Sequence, residues 1–173
     1  MEIRSRQDIC KLLSNDSIGI ELGVATGYFS EILLSSKKFK ALYSVDRWSD
    51  HHDIKEYMDA LRKLSKYGQS SIVIRATFNE IIDYFPDEYF DFIYIDAYAH
   101  NGQDNGEILN KWFPKLKQEG LFSGHDYERE EWPETYKVVN TFSTNNNLEL
   151  NIINGTNGGI NNEDMWKSWY VFK

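Results

Sequence analysis

The chain has 173 residues, enough for one domain with a buried core but not for a second domain devoted to substrate. At 41% hydrophobic, 27% charged and 15% aromatic, it is composed like a globular protein. Its net charge of -8 at pH 7 argues against nucleic acid, because phosphate contacts need a basic surface.

The N-terminus is too polar for a signal peptide, and no apolar run is long enough to span a membrane, so a cytoplasmic protein with no membrane partner is expected. The first element is a helix over Arg6–Ser14, which carries the one cysteine, Cys10, read as a small buried hydrophobe. Short apolar runs then predict strands at Ile18–Leu22, Ala41–Val45, Ile72–Ile74, Phe92–Ile95 and Leu121–Ser123. Helical patterns fall between them at Tyr28–Ser36, Asp53–Tyr67 (closed by Gly68), Asn79–Phe85 and Glu107–Lys117 (closed by Gly120). Within the second, Ile54, Tyr57, Met58, Leu61 and Leu64 have the spacing of a core-facing stripe.

Alternation of this kind implies a parallel sheet with helices on both faces. A helix over Pro133–Phe142 leads to strand-like runs at Leu148–Ile153 and Trp169–Phe172, with a turn signal at Asn154–Gly159 between them. Two strands without a crossover helix pair antiparallel. The expected fold is therefore α/β and Rossmann-like, a mainly parallel sheet with an antiparallel last strand, in one domain over 1–173.

Two motifs point to a ligand. Glu21-Leu22-Gly23-Val24-Ala25-Thr26-Gly27 runs from a buried strand through a glycine turn into a helix, whose first N–H groups are unpaired. The spacing differs from the GxGxxG of dinucleotide enzymes, and Glu21 suits a ligand with an ammonium group better than a pyrophosphate. Asp46, in Val45-Asp46-Arg47-Trp48, ends the second strand, where an acid grips a ribose diol. Trp48 either covers an adenine or packs on the following helix; His51 and His52 are given no catalytic role, only a possible capping one.

These motifs resemble those of class I S-adenosylmethionine-dependent methyltransferases, from about Ile18 to Lys173, with Ala25 in place of a glycine common there. The resemblance implies a seven-stranded sheet, a cofactor amino-acid moiety at Glu21, Gly23, Ala25 and Gly27, ribose at Asp46 with Arg47 and Trp48 alongside, and adenine at Ala76, Thr77 and Phe78. The stretch Phe85–Asp96 is similar to small O-methyltransferases related to the catechol and macrolide-sugar enzymes, many of which hold a divalent cation. The implied ligands are Asp96, at the end of the fourth strand, and His125 and Asp126, at the end of the fifth. His125 departs from the acid or amide common in relatives; without a metal, His125 and Asp126 would instead hydrogen-bond substrate.

A hydroxyl is a poor nucleophile until it loses its proton, and a cation beside it stabilises the alkoxide. Oxygen ligands suit Mg2+, whereas an imidazole sits more comfortably with Mn2+, iron or zinc. His100, four residues after Asp96, is the candidate general base. The expected activity is methylation of a hydroxyl on a sugar, glycan or similar small acceptor, with Tyr98, Gln103 and Asp104 shaping the pocket and Tyr127 and Trp132 offering a stacking face. A catechol or phenol acceptor, a nicotinamide-dependent oxidoreductase and a non-catalytic subunit of the same fold are the alternatives, and a homodimer is compatible with the sequence.

Overall fold

The computed structural model describes residues 2–49, 52–156 and 164–173; His51 and the Asn157–Gly159 part of the expected turn lie outside the described residues. Seven strands form one sheet: β1 (Ser17–Leu22), β2 (Phe39–Asp46), β3 (Ser71–Arg75), β4 (Phe90–Ile95), β5 (Leu116–Gly124), β6 (Asn151–Ile153) and β7 (Ser168–Phe172). Their order is β3-β2-β1-β4-β5-β7-β6. The first five run parallel, and β7 is antiparallel to both β5 and β6, as the sequence pattern implies.

Helices cover both faces. One carries Ile108, Leu109 and Trp112 of α5 (Glu107–Trp112) and Val139 and Phe142 of α6 (Pro133–Asn145), packed on Ile20, Ile93, Ile95 and Phe122. On the other, Ile9 and Leu13 from the N-terminal segment join Phe29, Leu33 and Leu34 of α1 (Tyr28–Ser35) against Leu42, Phe92 and Tyr94. Strands covered on both sides read as continuous apolar runs, which is why Phe92–Ile95 is buried at every position.

Several boundaries differ from expectation. The N-terminal helix is a 3-10 helix over Arg6–Leu12. The helix predicted to end near Gly120 stops at Trp112, and after a 3-10 turn containing Pro114 the chain is extended from Leu116. Proline has no N–H to continue the helical ladder. The helix α2 (Ile54–Leu64) begins where the Asp53 carboxylate accepts the N–H groups of Lys55 and Glu56.

The buried side of α2 is not the expected stripe. Ile54 and Met58 are 56% and 48% exposed, and Ala60 and Leu64 are buried instead. Ala60 lets the helix close on the glycine turn: a Cβ on Gly27 would stand 3.2 Å from the Ala60 Cα. The adjoining α3 (Phe78–Ile81) starts with a capping box in which Thr77 and Glu80 satisfy each other's backbone N–H groups.

Candidate active site

Strands β2, β1, β4 and β5 lie side by side and end at the same edge of the sheet, so Asp46, Gly23, Asp96 and His125 arrive together from four separate stretches of chain. The order reverses between β1 and β4, and ligands of open α/β sheets bind in the crevice at such a switch point. Backbone hydrogen bonds extend the ladder just past the strands: Gly23 N–H to Val45, Asp96 N–H to Leu22 and His125 N–H to Ile95.

The glycine turn is packed from below. Gly23 has φ +98°, and a Cβ there would come within 2.0 Å of the Asp96 carbonyl oxygen, so only glycine fits. Ala25 also takes a left-handed backbone, at φ 47°, in the place where relatives often carry glycine. Asp46 stabilises that conformation: one carboxylate oxygen accepts the N–H groups of Val24 (2.9 Å) and Ala25 (3.0 Å), and the other accepts that of Trp48 (3.0 Å). Hydrogen bonds to an ionised acceptor are worth about 1.5–3 kcal/mol each, enough to offset the strain of a left-handed alanine.

Two cavities open at this edge. The larger, about 340 Å3, is bounded by the glycine turn (Glu21, Gly23, Val24, Ala25), by Arg6 and Tyr28, by Asp96, His125 and Asp126, and by Met165 and Trp166. The smaller, about 140 Å3, is bounded by Asp46 and Arg47, by Thr77 and Phe78, and by Ala97 and Tyr98. They meet at Gly23, His52 and Asp96, which line both.

Charge inside the larger cavity is organised around Asp96. Its carboxylate pairs with the Arg6 guanidinium at 3.0 Å and with His125 Nδ1 at 3.4 Å, and His125 Nδ1 is also 3.2 Å from Asp126. Burial opposes ionisation of Asp96, but His125 and Arg6 outweigh it and hold the carboxyl below its usual range. For His125, burial likewise opposes the charged form, yet Asp96 and Asp126 push its pKa up to about 9. Its Nε2 is buried without a hydrogen-bond partner. Glu21, 1% exposed, is driven well above the ordinary carboxyl range by burial, against a hydrogen bond donated by Ser30.

The Asp96, His125 and Asp126 ligand atoms lie within 4.8 Å of one another, and their pairwise separations bear on a metal. Adjacent oxygens around a small octahedral cation with bonds of about 2.0–2.1 Å stand roughly 3 Å apart. The observed 3.2 and 3.4 Å are close to that, so the three side chains fit a divalent cation once His125 Nδ1 gives up its proton.

Of the residues expected to hold a cofactor, Glu21, Gly23 and Ala25 line the larger cavity and Asp46, Arg47, Thr77 and Phe78 the smaller. Gly27 stands behind the turn against α2, and Ala76 packs against the core. Of the two roles left open for Trp48, its placement matches packing on the following helix: it is 1% exposed, its indole N–H donates to the Ala25 carbonyl and its ring lies 4.7 Å from that of Tyr57.

The structure sets His100, the expected general base, apart from both cavities. A left-handed Tyr98 turns the loop outward, leaving the exposed imidazole edge-on to Trp132 at 4.6 Å, and His100 lines neither cavity. Gln103 and Asp104, in the short α4 (Gly102–Asn105), take a left-handed backbone and pack on α6 instead of shaping the pocket, and Gln103 is 1% exposed.

Sequence reasoning missed Arg6, Tyr28, His52, Asp164 and Trp166. Arg6 bridges Asp96 and Asp164, and Gln7 and Tyr28 also donate to the Asp164 carboxylate. These partners are up to 158 residues apart in the chain, and no local pattern links them. Only the pairing of Tyr28 with the glycine motif that it follows offered a signal.

A family model described as a methyltransferase domain matches residues 17–127. The chain belongs to this methyltransferase family. It is a class I S-adenosylmethionine-dependent methyltransferase, with the glycine turn and the strand-end acid in the matched region. No curated protein matches the methyltransferase in sequence.

Its fold recurs in solved structures of low identity. An O-methyltransferase from Bacillus cereus in complex with SAH superposes with a TM-score of 0.71 at 14% identity, over 96% of this chain and 78% of that one. Precorrin-6y C5,15-methyltransferase from Geobacter metallireducens gives 0.68 at 15% identity, over 93% and 82%. An rRNA methylase from Streptococcus thermophilus gives 0.68 at 13% identity, over 96% and 93%. Acceptors this different on one fold mean that the fold does not specify the acceptor. Among the described residues, no helix is long and apolar enough to cross a membrane.

Proposed function

We propose that this methyltransferase transfers a methyl group to a hydroxyl of a sugar, glycan or similar small polyhydroxylated acceptor, assisted by a divalent cation. The observation that carries the reading is one shared cavity of about 340 Å3, in which the glycine turn faces Asp96, His125 and Asp126. A methyl donor and an oxygen-binding acid cluster would then meet without intervening chain.

In this reading the adenosine lies in the smaller cavity, with its ribose near Asp46 and its adenine between Thr77, Phe78 and Tyr98. The methionine moiety extends past Gly23 towards Glu21. An ammonium beside the buried Glu21 carboxyl would return that group to its ionised form, since a nearby positive charge offsets the cost of burial. The acceptor enters from the side of Met165 and Trp166, where the indole offers a face for a sugar ring.

Asp96, His125 and Asp126 would hold the cation, which supplies a Lewis acid beside the acceptor hydroxyl. Arg6 keeps Asp96 ionised and oriented, and the closeness of Asp96 to the Gly23 turn fixes the acceptor relative to the methyl donor. The chain's net charge of -8 favours an uncharged small acceptor over nucleic acid.

The test is a panel of sugars, glycosides and catechols offered with labelled S-adenosylmethionine, with chelator and with added Mg2+ or Mn2+. Labelling of a sugar hydroxyl that chelator abolishes and metal restores is expected. Full activity in chelator removes the cation from the reading, and labelling confined to catechols replaces the sugar acceptor with a phenol.

A further inference from the structure

Three residues border both cavities: Gly23, Asp96 and His52. Gly23 contributes backbone, and Asp96 is engaged by Arg6 and His125. His52 differs from both. It stands just ahead of α2, its side chain is 44% exposed, and its Nδ1 lies 2.8 Å from Glu56 Oε2, one helical turn further on.

We propose that His52, oriented by Glu56, is the general base that removes the acceptor's hydroxyl proton; the proposal rests on the reading of the site as one that methylates hydroxyls. A carboxylate only accepts hydrogen bonds, so the bond to Glu56 requires the proton on Nδ1 and leaves the lone pair on Nε2. A base prepared in this way by a fixed tautomer is the arrangement that hydroxyl activation needs. The junction of the two cavities is where a donor spanning them would place its sulfonium. The other imidazoles described are unsuited: His100 is turned onto Trp132, and His125 is clamped between two carboxylates on its one partnered nitrogen.

The step balances. The acceptor O–H bond breaks and its proton passes to His52 Nε2, while the oxygen forms a bond to the methyl carbon. The carbon–sulfur bond breaks with its electron pair going to sulfur, giving neutral S-adenosylhomocysteine. Half-exposed, His52 then returns the proton to water. The ionisable groups sharing its cavities are Asp46, Arg47 and Tyr98 on one side and Arg6, Glu21, Tyr28, His125 and Asp126 on the other, with Asp96 in both and Glu56 on its own helix. Glu56 is a positioning residue, since it acts only through the imidazole.

The experiment compares wild type, His52→Gln and Glu56→Gln on two acceptors, methyl α-D-glucopyranoside and 4-nitrocatechol, with S-adenosylhomocysteine affinity from calorimetry and the imidazole tautomer from nitrogen NMR. With the glucoside, His52→Gln is expected to lower kcat by about 100-fold or more, the usual contribution of a positioned base. The nitrocatechol ionises far more readily than a sugar hydroxyl and is expected to lose less than about 10-fold. S-adenosylhomocysteine affinity should stay within about threefold, a shift below 1 kcal/mol. NMR should show the Nδ1–H tautomer in wild type and its loss in Glu56→Gln. Equal losses on both acceptors, no loss on either, a parallel collapse of S-adenosylhomocysteine affinity, or an Nε2–H tautomer would each overturn the assignment. If wild type methylates neither probe while His52 shows the Nδ1–H tautomer, the hydroxyl reading itself fails and the base role goes with it.

Discussion

Arg6 and Asp96 form an ion pair of 3.0 Å inside the molecule, joining the first helical turn of the chain to the end of the central strand β4. The guanidinium is 4% exposed, lies over the Phe29 ring and also bonds Asp164 at 2.6 Å, so one side chain ties the N-terminal segment, the cavity-lining edge of the sheet and the approach to β7 together. Burial works against its charge, but Tyr94, Asp96 and Asp164 raise its pKa and keep it protonated.

Removing one partner of such a pair leaves the other buried and uncompensated. Arg6→Met is expected to cost about 3–5 kcal/mol of folding stability, read from urea denaturation. Restoring balance with Asp164→Asn in the same chain should recover part of that loss. A single variant as stable as wild type would mean that Arg6 carries no such role.

Asp46 accepts three backbone N–H groups, two of them from the glycine turn. Asp46→Ala should therefore weaken S-adenosylmethionine binding twice over, by loosening the turn and by removing the acid placed for the ribose. A fall in affinity of about 10-fold or more is expected in calorimetry, corresponding to at least 1.4 kcal/mol. Unchanged affinity would separate Asp46 from the cofactor altogether.

Glu21 has a pH signature of opposite sign to an ordinary salt-bridged acid. Burial raises its folded pKa well above the 4.5 usual for a glutamate, so the folded state binds more protons than the unfolded one as pH climbs past that value. This group's contribution to stability is present at lower pH and is lost as pH rises through the folded pKa. In cofactor-free protein, Glu21→Gln should thus raise the Tm at pH 7–8 while weakening cofactor binding, measured by thermal melts and calorimetry. A lower Tm at neutral pH would show the carboxylate to be ionised and stabilising.

His100 makes a useful control, because its ring meets Trp132 outside both cavities. Its replacement by alanine should cost about 0.5–1.5 kcal/mol of stability from the lost ring contact. Turnover per folded molecule should change by less than about threefold, well short of the loss expected for a proton-transferring residue. A 100-fold drop would restore it as a catalytic group.

Much of the edge proposed to hold the cofactor was legible in the sequence. Glu21, Gly23, Ala25 and Asp46 sit in short motifs attached to strand ends, where local pattern and backbone requirement coincide. The strand alternation also carried the parallel sheet and its antiparallel last strand, whereas the strand order came from the tertiary structure. The stripe on α2 was misread because apolar spacing gives the period of a helix but not which arc faces the sheet; Ala60, a small residue between larger ones, decided that by letting the helix approach Gly27.

The acid–base half depended on the fold. Asp96, His125 and Asp126 were implied by the family resemblance, but whether a neighbouring imidazole points inward depends on loop conformation. His100 follows a left-handed Tyr98 and swings away, whereas His52 is held at the cavity junction by Glu56. The amino-acid sequence by itself determined the α/β alternation, the glycine turn and the strand-end acids, because each is governed by interactions among residues a few positions apart. Only the tertiary structure decided the partners of Arg6 and which imidazole borders both cavities, because those placements bring together segments as far as 158 residues apart that have no local signature.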